Sequence, residues 1–172
     1  MSVTTVRIEA PRDLVWGVLL DVPSYPLWVV GTKRIRGVEP TWPAPGSTFH
    51  HAVGWGPFEQ RDSTSVVELE PPRRLVLEVR VRPVVGVARV EITLAGVGRS
   101  TDLTLAEQVT RGPAHRLARP LVDAALLARN RLSLHRLKAW CEQRDRGTPG
   151  RGGEDGDATA AATPTTDPAG TT

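Results

Sequence analysis

The sequence predicts an α+β domain in which a curved antiparallel sheet of about seven strands wraps one long C-terminal helix. Two small helices are expected after the first strand. Three observations carry this. Between residues 32 and 109, short runs of alternating apolar and polar residues are joined by Gly- and Pro-rich turns. Before them, Val15, Leu19 and Val22 recur at helical spacing directly after a short strand pattern. After them, from Ala114 to about Arg144, a single helical pattern closes the apolar part of the chain.

The elements follow in order. Val3 to Glu9 reads as a strand running into Ala10-Pro11. Pro11 suits the first position of a helix, where its missing N–H has no partner to lose. Val15, Leu19 and Val22, with Trp16 and Leu20 beside them, form the wide apolar stripe of a helix lying on a core. Pro23 stops that helix, and Ser24 to Trp28 starts a second, shorter turn. Thr32 to Glu39 is a strand with a glycine irregularity, and Thr41 to Gly46 is a turn. Ser47 to Trp55 is a strand, Gly54 to Pro57 a tight connection, and Phe58 to Leu69 a longer strand. After the Glu70 to Arg74 turn, Leu75, Leu77, Val79 and Val81 alternate with Glu78, Arg80 and Arg82. Val85 to Leu94 and Ser100 to Val109 repeat the pattern around the Gly96-Val97-Gly98 turn. Short connections of this kind make an antiparallel meander with one face on the core and one in water. Gly112-Pro113 breaks it, and Pro120 falls in the first turns of the terminal helix, where a kink is expected.

Composition bounds the rest. Of 172 residues, 1–145 form one domain, while 146–172 hold no aromatic residue and no Val, Ile, Leu or Met. Such a segment buries too little to offset its chain entropy and is expected to be a disordered tail. The net charge is +3, and the tail itself is acidic. Only Lys33 and Lys138 are lysines; every other basic residue is arginine. No basic run interleaves with aromatics, so a nucleic-acid partner is not expected. Cys141 stands alone, which excludes an intramolecular disulfide and a cysteine metal site. No signal peptide is recognised, and no apolar run approaches the roughly 18 residues of a membrane span. The expected location is cytoplasmic, with no membrane insertion.

The stretch from Ile8 to Val30, IEAPRDLVWGVLLDVPSYPLWVV, together with the order strand, two helices, six strands, long helix, resembles the START-like (SRPBCC) superfamily. The likeness is to its polyketide cyclase/dehydrase-like branch and covers residues 3 to 144. It implies the helix-grip (START/Bet v 1-like) fold, in which the two small helices close one end of a ligand cavity. Trp16 and Trp28 match two Trp positions often seen in the opening segment of cyclase-like relatives.

Candidate site residues follow from which faces point inward. On a helical wheel Leu126, Leu127, Leu134, Leu137 and Cys141 share one side, with Asn130 at its centre and Asp123 near its N-terminal end. Ala125, Ala128, Ala139 and Leu132 oppose them. Asn130 is therefore either a structural amide satisfied by a strand or a ligand contact. Glu107 shares the side of Leu103 and Leu105, and His51 that of Phe49, Val53 and Trp55, while His50 points outward. Gln60 and Asp62 share one face of their strand and Arg61 and Ser63 the other, and a bulge would exchange them. The expected ligand contacts are Trp55, Asp62, Asp123, Asn130, Leu103, Leu105, Leu127 and Leu134. His51 and Glu107 are the candidate acid/base groups. His115 and Arg116 are read as surface residues at the start of the helix. Trp42 is placed near the entrance and Trp140 at the sheet edge.

No nucleophile elbow, P-loop or dinucleotide fingerprint occurs. His50 and His51 are adjacent on a strand and cannot chelate one metal together. Cys141 sits toward a helix C-terminus, where the dipole disfavours a thiolate. No metal and no cofactor are expected. The function expected is binding of a hydrophobic or aromatic small molecule between sheet and helix. The alternative is a polyketide cyclase/dehydratase-like enzyme using His51 or Glu107, although Tyr25 is the only tyrosine. A third class is an interaction module presenting its sheet to a partner.

Overall fold

The computed structural model describes residues 1–54, 59–81, 86–112 and 119–147. Its elements are β1 (Ser2–Ile8), α1 (Arg12–Leu20), a 3-10 turn (Val22–Ser24), α2 (Tyr25–Trp28), β2 (Thr32–Val38), β3 (Thr48–Val53), β4 (Gln60–Glu70), β5 (Arg74–Val81), β6 (Gly86–Val97), β7 (Ser100–Arg111) and α3 (Arg119–Gly147). The strands form one antiparallel seven-stranded sheet in the order β1-β7-β6-β5-β4-β3-β2. This is the helix-grip arrangement: a meander from β2 to β7, with β1 added beside β7 and α3 laid across the inner face.

Most boundaries fall within a residue or two of the sequence pattern. β6 runs further than the pattern, to Val97, and pairs there with β7, which starts at Ser100 as expected and runs on to Arg111. Ala95, Gly96 and Val97 are exposed there, so no apolar alternation marked that part of the strand. α3 begins at Arg119, which puts Pro120 in its first turn, and continues to Gly147, past the Arg144 expected from the pattern. Trp55, His115, Arg116 and the segment from 148 onward lie outside the described residues.

Pro11 precedes α1 as its N-cap, and Pro23 lies inside the 3-10 turn that follows. α1 buries Val15, Trp16, Val18 and Leu19. Tyr25, Trp28 and Trp42 then cluster around Phe49 of β3. The Tyr25 and Trp42 rings each stand edge-on to Phe49 at 5.1 Å, and Trp28 leans on Tyr25 at 4.7 Å. Aromatic pairs favour such tilted and edge-to-face contacts over flat stacking. The Trp42 indole donates to the Leu20 carbonyl at 2.9 Å, tying the first turn of the meander to the end of α1.

The inner face is set by strand alternation. Leu75 and Leu77 on β5, Ile92 and Leu94 on β6, and Leu103 and Leu105 on β7 are all buried. β4 has a register shift between Val66 and Glu68, downstream of the polar positions. Asp62 is therefore inward and buried, and Arg61 outward and exposed.

The long helix has two halves. Leu134, Leu137 and Cys141 are fully buried against the core. Toward the N-terminus, Leu126, Arg129, Asn130 and Ser133 occupy the same stripe at spacings of three and four residues. Here the helix stands off the sheet, and a cavity opens between them.

Candidate functional site

The cavity has a volume of about 220 Å³ and lies between α3, α2 and the inner faces of β3 to β7. Its wall is mainly apolar. Tyr25, Trp28, Phe49, Leu77, Ile92 and Leu105 are among its apolar and aromatic lining residues. Polar and charged side chains stand inside this wall, among them His51, Asp62, Thr64, Glu107, Arg129, Asn130 and Ser133.

They divide into two clusters. On β3 and β4, His51 and Asp62 are direct cross-strand partners, both buried. His51 Nε2 shares a 3.0 Å hydrogen bond with Thr64 Oγ1, diagonally across the same pair of strands. Its Nδ1 is buried with no partner among the described residues. Burial, reinforced by the charges of Arg129 and His50, pushes the imidazole pKa down to about 4. The ring is therefore neutral near pH 7, with one nitrogen donating and the other accepting. Gln60 donates to Asp62 Oδ1 at 3.4 Å.

On the opposite wall, Asn130 Nδ2 donates to Glu107 Oε2 at 2.7 Å and to Ser2 Oγ at 3.3 Å. Arg129 approaches Glu107 Oε1 at 3.7 Å and donates from Nε to the Val30 carbonyl at 3.0 Å. One turn on, Ser133 Oγ accepts from the Val30 N–H at 3.1 Å. α3 thus holds both backbone polar groups of Val30, in the segment joining α2 to β2.

Of the expected contacts, His51, Asp62, Leu105, Glu107 and Asn130 line the cavity. Leu103 and Leu134 instead pack in the solid core beyond it. Leu127 is half-buried and off the cavity wall, because Leu126 takes the stripe position facing inward. Asp123 does not reach the cavity either; it accepts from the N-terminal ammonium of Met1 at 3.3 Å. Trp55 falls outside the described residues. Sequence reasoning missed Arg129 and Ser133. Their signal was present: 126, 129, 130 and 133 are one helical stripe, read too narrowly when Asn130 was centred on leucines alone. Thr64 was missed as well, two residues from Asp62 on the same face of β4.

Other polar groups are already committed elsewhere. The Tyr25 hydroxyl donates to the Leu19 carbonyl at 2.6 Å, and burial raises its pKa. Cys141 is fully buried, which pushes its thiol up to about 12. Among the described residues, no cluster of three or more His, Cys, Asp or Glu is arranged to hold a metal ion. No described helix is long and apolar enough to cross a membrane.

Sheet, gripping helix and the cavity between them together define a START-like (SRPBCC) domain. Residues 2–142 match a family described as polyketide cyclase / dehydrase and lipid transport, and the chain belongs to that family. Among solved structures it is similar to the Zhui aromatase/cyclase from Streptomyces sp. R1128, at 22% identity and a TM-score of 0.67, over 86% of this chain and 96% of that one. It is similar to a protein from Nitrosomonas europaea at 19% identity and a TM-score of 0.64, over 84% and 97%. It also matches the di-domain aromatase/cyclase of the steffimycin biosynthetic pathway, at 15% identity and a TM-score of 0.65, over 85% of this chain and 46% of that one. At these identities the likeness is one of fold. Among curated proteins, no sequence matches.

Proposed function

We propose that this domain binds a compact apolar or aromatic small molecule, of one or two rings, that presents a hydroxyl to His51. The observation carrying this reading is the buried, unpartnered Nδ1 of His51 in the wall of an otherwise apolar 220 Å³ cavity. A buried polar atom left unpaired costs about 1–3 kcal/mol, and a ligand group that meets it recovers that cost. A hydroxyl both donates and accepts, so it suits either tautomer of the neutral ring. The volume exceeds the roughly 150 Å³ of an apolar cavity that holds benzene and is below the about 300 Å³ of typical drug-sized sites. The reading includes a cytoplasmic location and a small-molecule partner, with no nucleic acid and no membrane insertion.

A second reading has its own observation. His51, Asp62 and Glu107 bring three titratable side chains into one cavity, and the family description names cyclases and dehydrases. As a cyclase or dehydratase, the domain would use His51 or Glu107 to move a proton on a polyketide-like substrate. The depressed pKa of His51 weighs against it as a base at neutral pH, because general bases work best near the operating pH. Binding is therefore the favoured reading.

Native mass spectrometry of protein purified from its own host, with fluorescence titration of 2-naphthol, tests this. A co-purifying apolar compound displaced by 2-naphthol, with affinity lowered in His51→Phe, supports binding. Absence of both a co-purified compound and saturable naphthol binding overturns it. Turnover of the co-purified compound that is lost in Glu107→Gln would favour the catalytic reading instead.

A further inference from the structure

We propose that the outer face of the sheet carries a separate oxyanion site, built by Arg36, His50, Arg61, Ser63 and Arg80, that takes a phosphate monoester group. These residues surround a second concavity of about 220 Å³, on the side of the sheet away from the ligand cavity.

Four neighbouring strands supply it. His50 on β3 pairs with Ser63 on β4, and Ser63 pairs with Arg80 on β5, so the three lie in one row across the sheet. Arg61 stands two residues from Ser63 on the same face of β4. Arg36 comes from an irregularity. The register of β2 against β3 jumps between Ile35, opposite His51, and Gly37, opposite His50. Arg36 is the extra residue, and bulges of this kind re-aim a side chain relative to the regular ladder.

The concavity gathers three guanidinium groups, Arg36, Arg61 and Arg80. Several other outer-face arginines are neutralised: Arg7 by Asp102, Arg34 by Glu59, and Arg74 by Glu68, Glu70 and Glu91. Arg36 and Arg61 make no ion pair among the described residues. Arg80 is held by Glu78 at 3.2 Å. Glu59 feels the charge of Arg36 but is bound by Arg34 at 2.6 Å. Asp62 is the single carboxylate among the described lining residues, and it is buried, on the inward-facing alternation of β4. Guanidinium forks match the tetrahedral oxygens of phosphate in bidentate fashion, and the Ser63 hydroxyl and His50 ring add further hydrogen bonds. Two sources present this chemistry, a soluble phosphorylated small molecule and the headgroup of phosphatidic acid.

Calorimetric titration of the full chain tests the site at low and physiological salt. The probes are inorganic phosphate, glycerol 3-phosphate, and phosphatidylcholine vesicles with or without phosphatidic acid. Saturable one-to-one binding of a phosphate probe is expected, weakened about tenfold or more in the Arg36→Gln/Arg61→Gln variant. Binding of soluble phosphates assigns a small-molecule source, and binding confined to phosphatidic acid vesicles assigns a lipid one. Arg7→Gln removes an equal charge from an ion-paired position and should leave binding unchanged, and circular dichroism confirms that each variant is folded. Non-saturable association, or equal weakening by Arg7→Gln, overturns the site. The 2-naphthol titration should be unaffected by Arg36→Gln/Arg61→Gln, so failure here is distinct from failure of the cavity reading.

Discussion

Asn130 on α3 donates its amide to the buried carboxylate of Glu107 on β7 at 2.7 Å, joining helix to sheet inside the cavity. The bond explains how two polar side chains persist on faces otherwise made of leucine. Each satisfies the other, as buried polar groups must. Asn130→Ala leaves Glu107 with only the longer approach of Arg129 and should lower stability by about 1–3 kcal/mol in urea denaturation. Replacing both residues by leucine should cost markedly less than the sum of the single changes. Additive losses would show that the pair does not act as a unit.

The depressed pKa of His51 makes a pH prediction. In the unfolded chain the ring protonates near 6.5; in the folded protein it stays neutral down to about 4. Between these values the unfolded state binds more protons, so stability rises with pH across the window and is lost as pH falls from 6.5 toward 4. The loss attributable to this one residue is on the order of 3 kcal/mol. His51→Gln should remove that portion of the acid sensitivity, read as the change in urea midpoint between pH 7 and pH 4.5. An NMR titration of the His51 ring with a midpoint near 6.5 would contradict the burial argument.

The fold was readable because each strand needed only period-two alternation and each helix only a stripe, and both patterns survive in the sequence. Leu75, Leu77, Ile92, Leu94, Leu103 and Leu105 were assigned inward and are buried. His51, Glu107 and Asn130 were singled out for the same reason, as polar residues on apolar faces, and all three line the cavity. What periodicity does not encode is where along an inward face the helix lifts off the sheet. That is why Leu103 and Leu134, inward like Leu105 and Asn130, belong to the solid core. Nor does it encode contacts made by backbone, so the hold of Arg129 and Ser133 on Val30 was invisible. The β2 bulge that frees Arg36 leaves no residue signature beyond Gly37.

Those two contacts predict a local effect. Ser133→Ala removes the acceptor for the Val30 N–H and should raise its hydrogen-exchange rate, with a global cost of about 1 kcal/mol. Arg129→Ala frees the Val30 carbonyl as well and should speed both association and release of 2-naphthol. Unchanged exchange at Val30 in both variants would mean that α3 does not hold this segment.

Tyr25 lines the cavity with its ring, but its hydroxyl is spent on the Leu19 carbonyl. Tyr25→Phe keeps the ring and should cost about 1 kcal/mol of stability. Naphthol affinity should stay within about twofold of the parent, since no ligand bond is lost. A large drop in affinity with unchanged stability would instead assign the hydroxyl to the ligand.

Ala88 offers the sharpest test of the cavity itself. It is buried on β6, opposite Val79 of β5, and it lines the open space rather than the packed core. In a close-packed interior, enlarging alanine to leucine costs about 1–3 kcal/mol through overpacking. Against a void the same change adds dispersion contacts and removes water-accessible apolar surface, so the sign reverses. Ala88→Leu should therefore hold stability level or raise it by about 0.5–2 kcal/mol, the range typical of cavity filling. The added side chain takes the volume a ligand ring would occupy, so 2-naphthol affinity should fall by about tenfold or more, equivalent to about 1.4 kcal/mol. Destabilisation with unchanged naphthol binding would place the ligand elsewhere and remove the cavity from the functional reading.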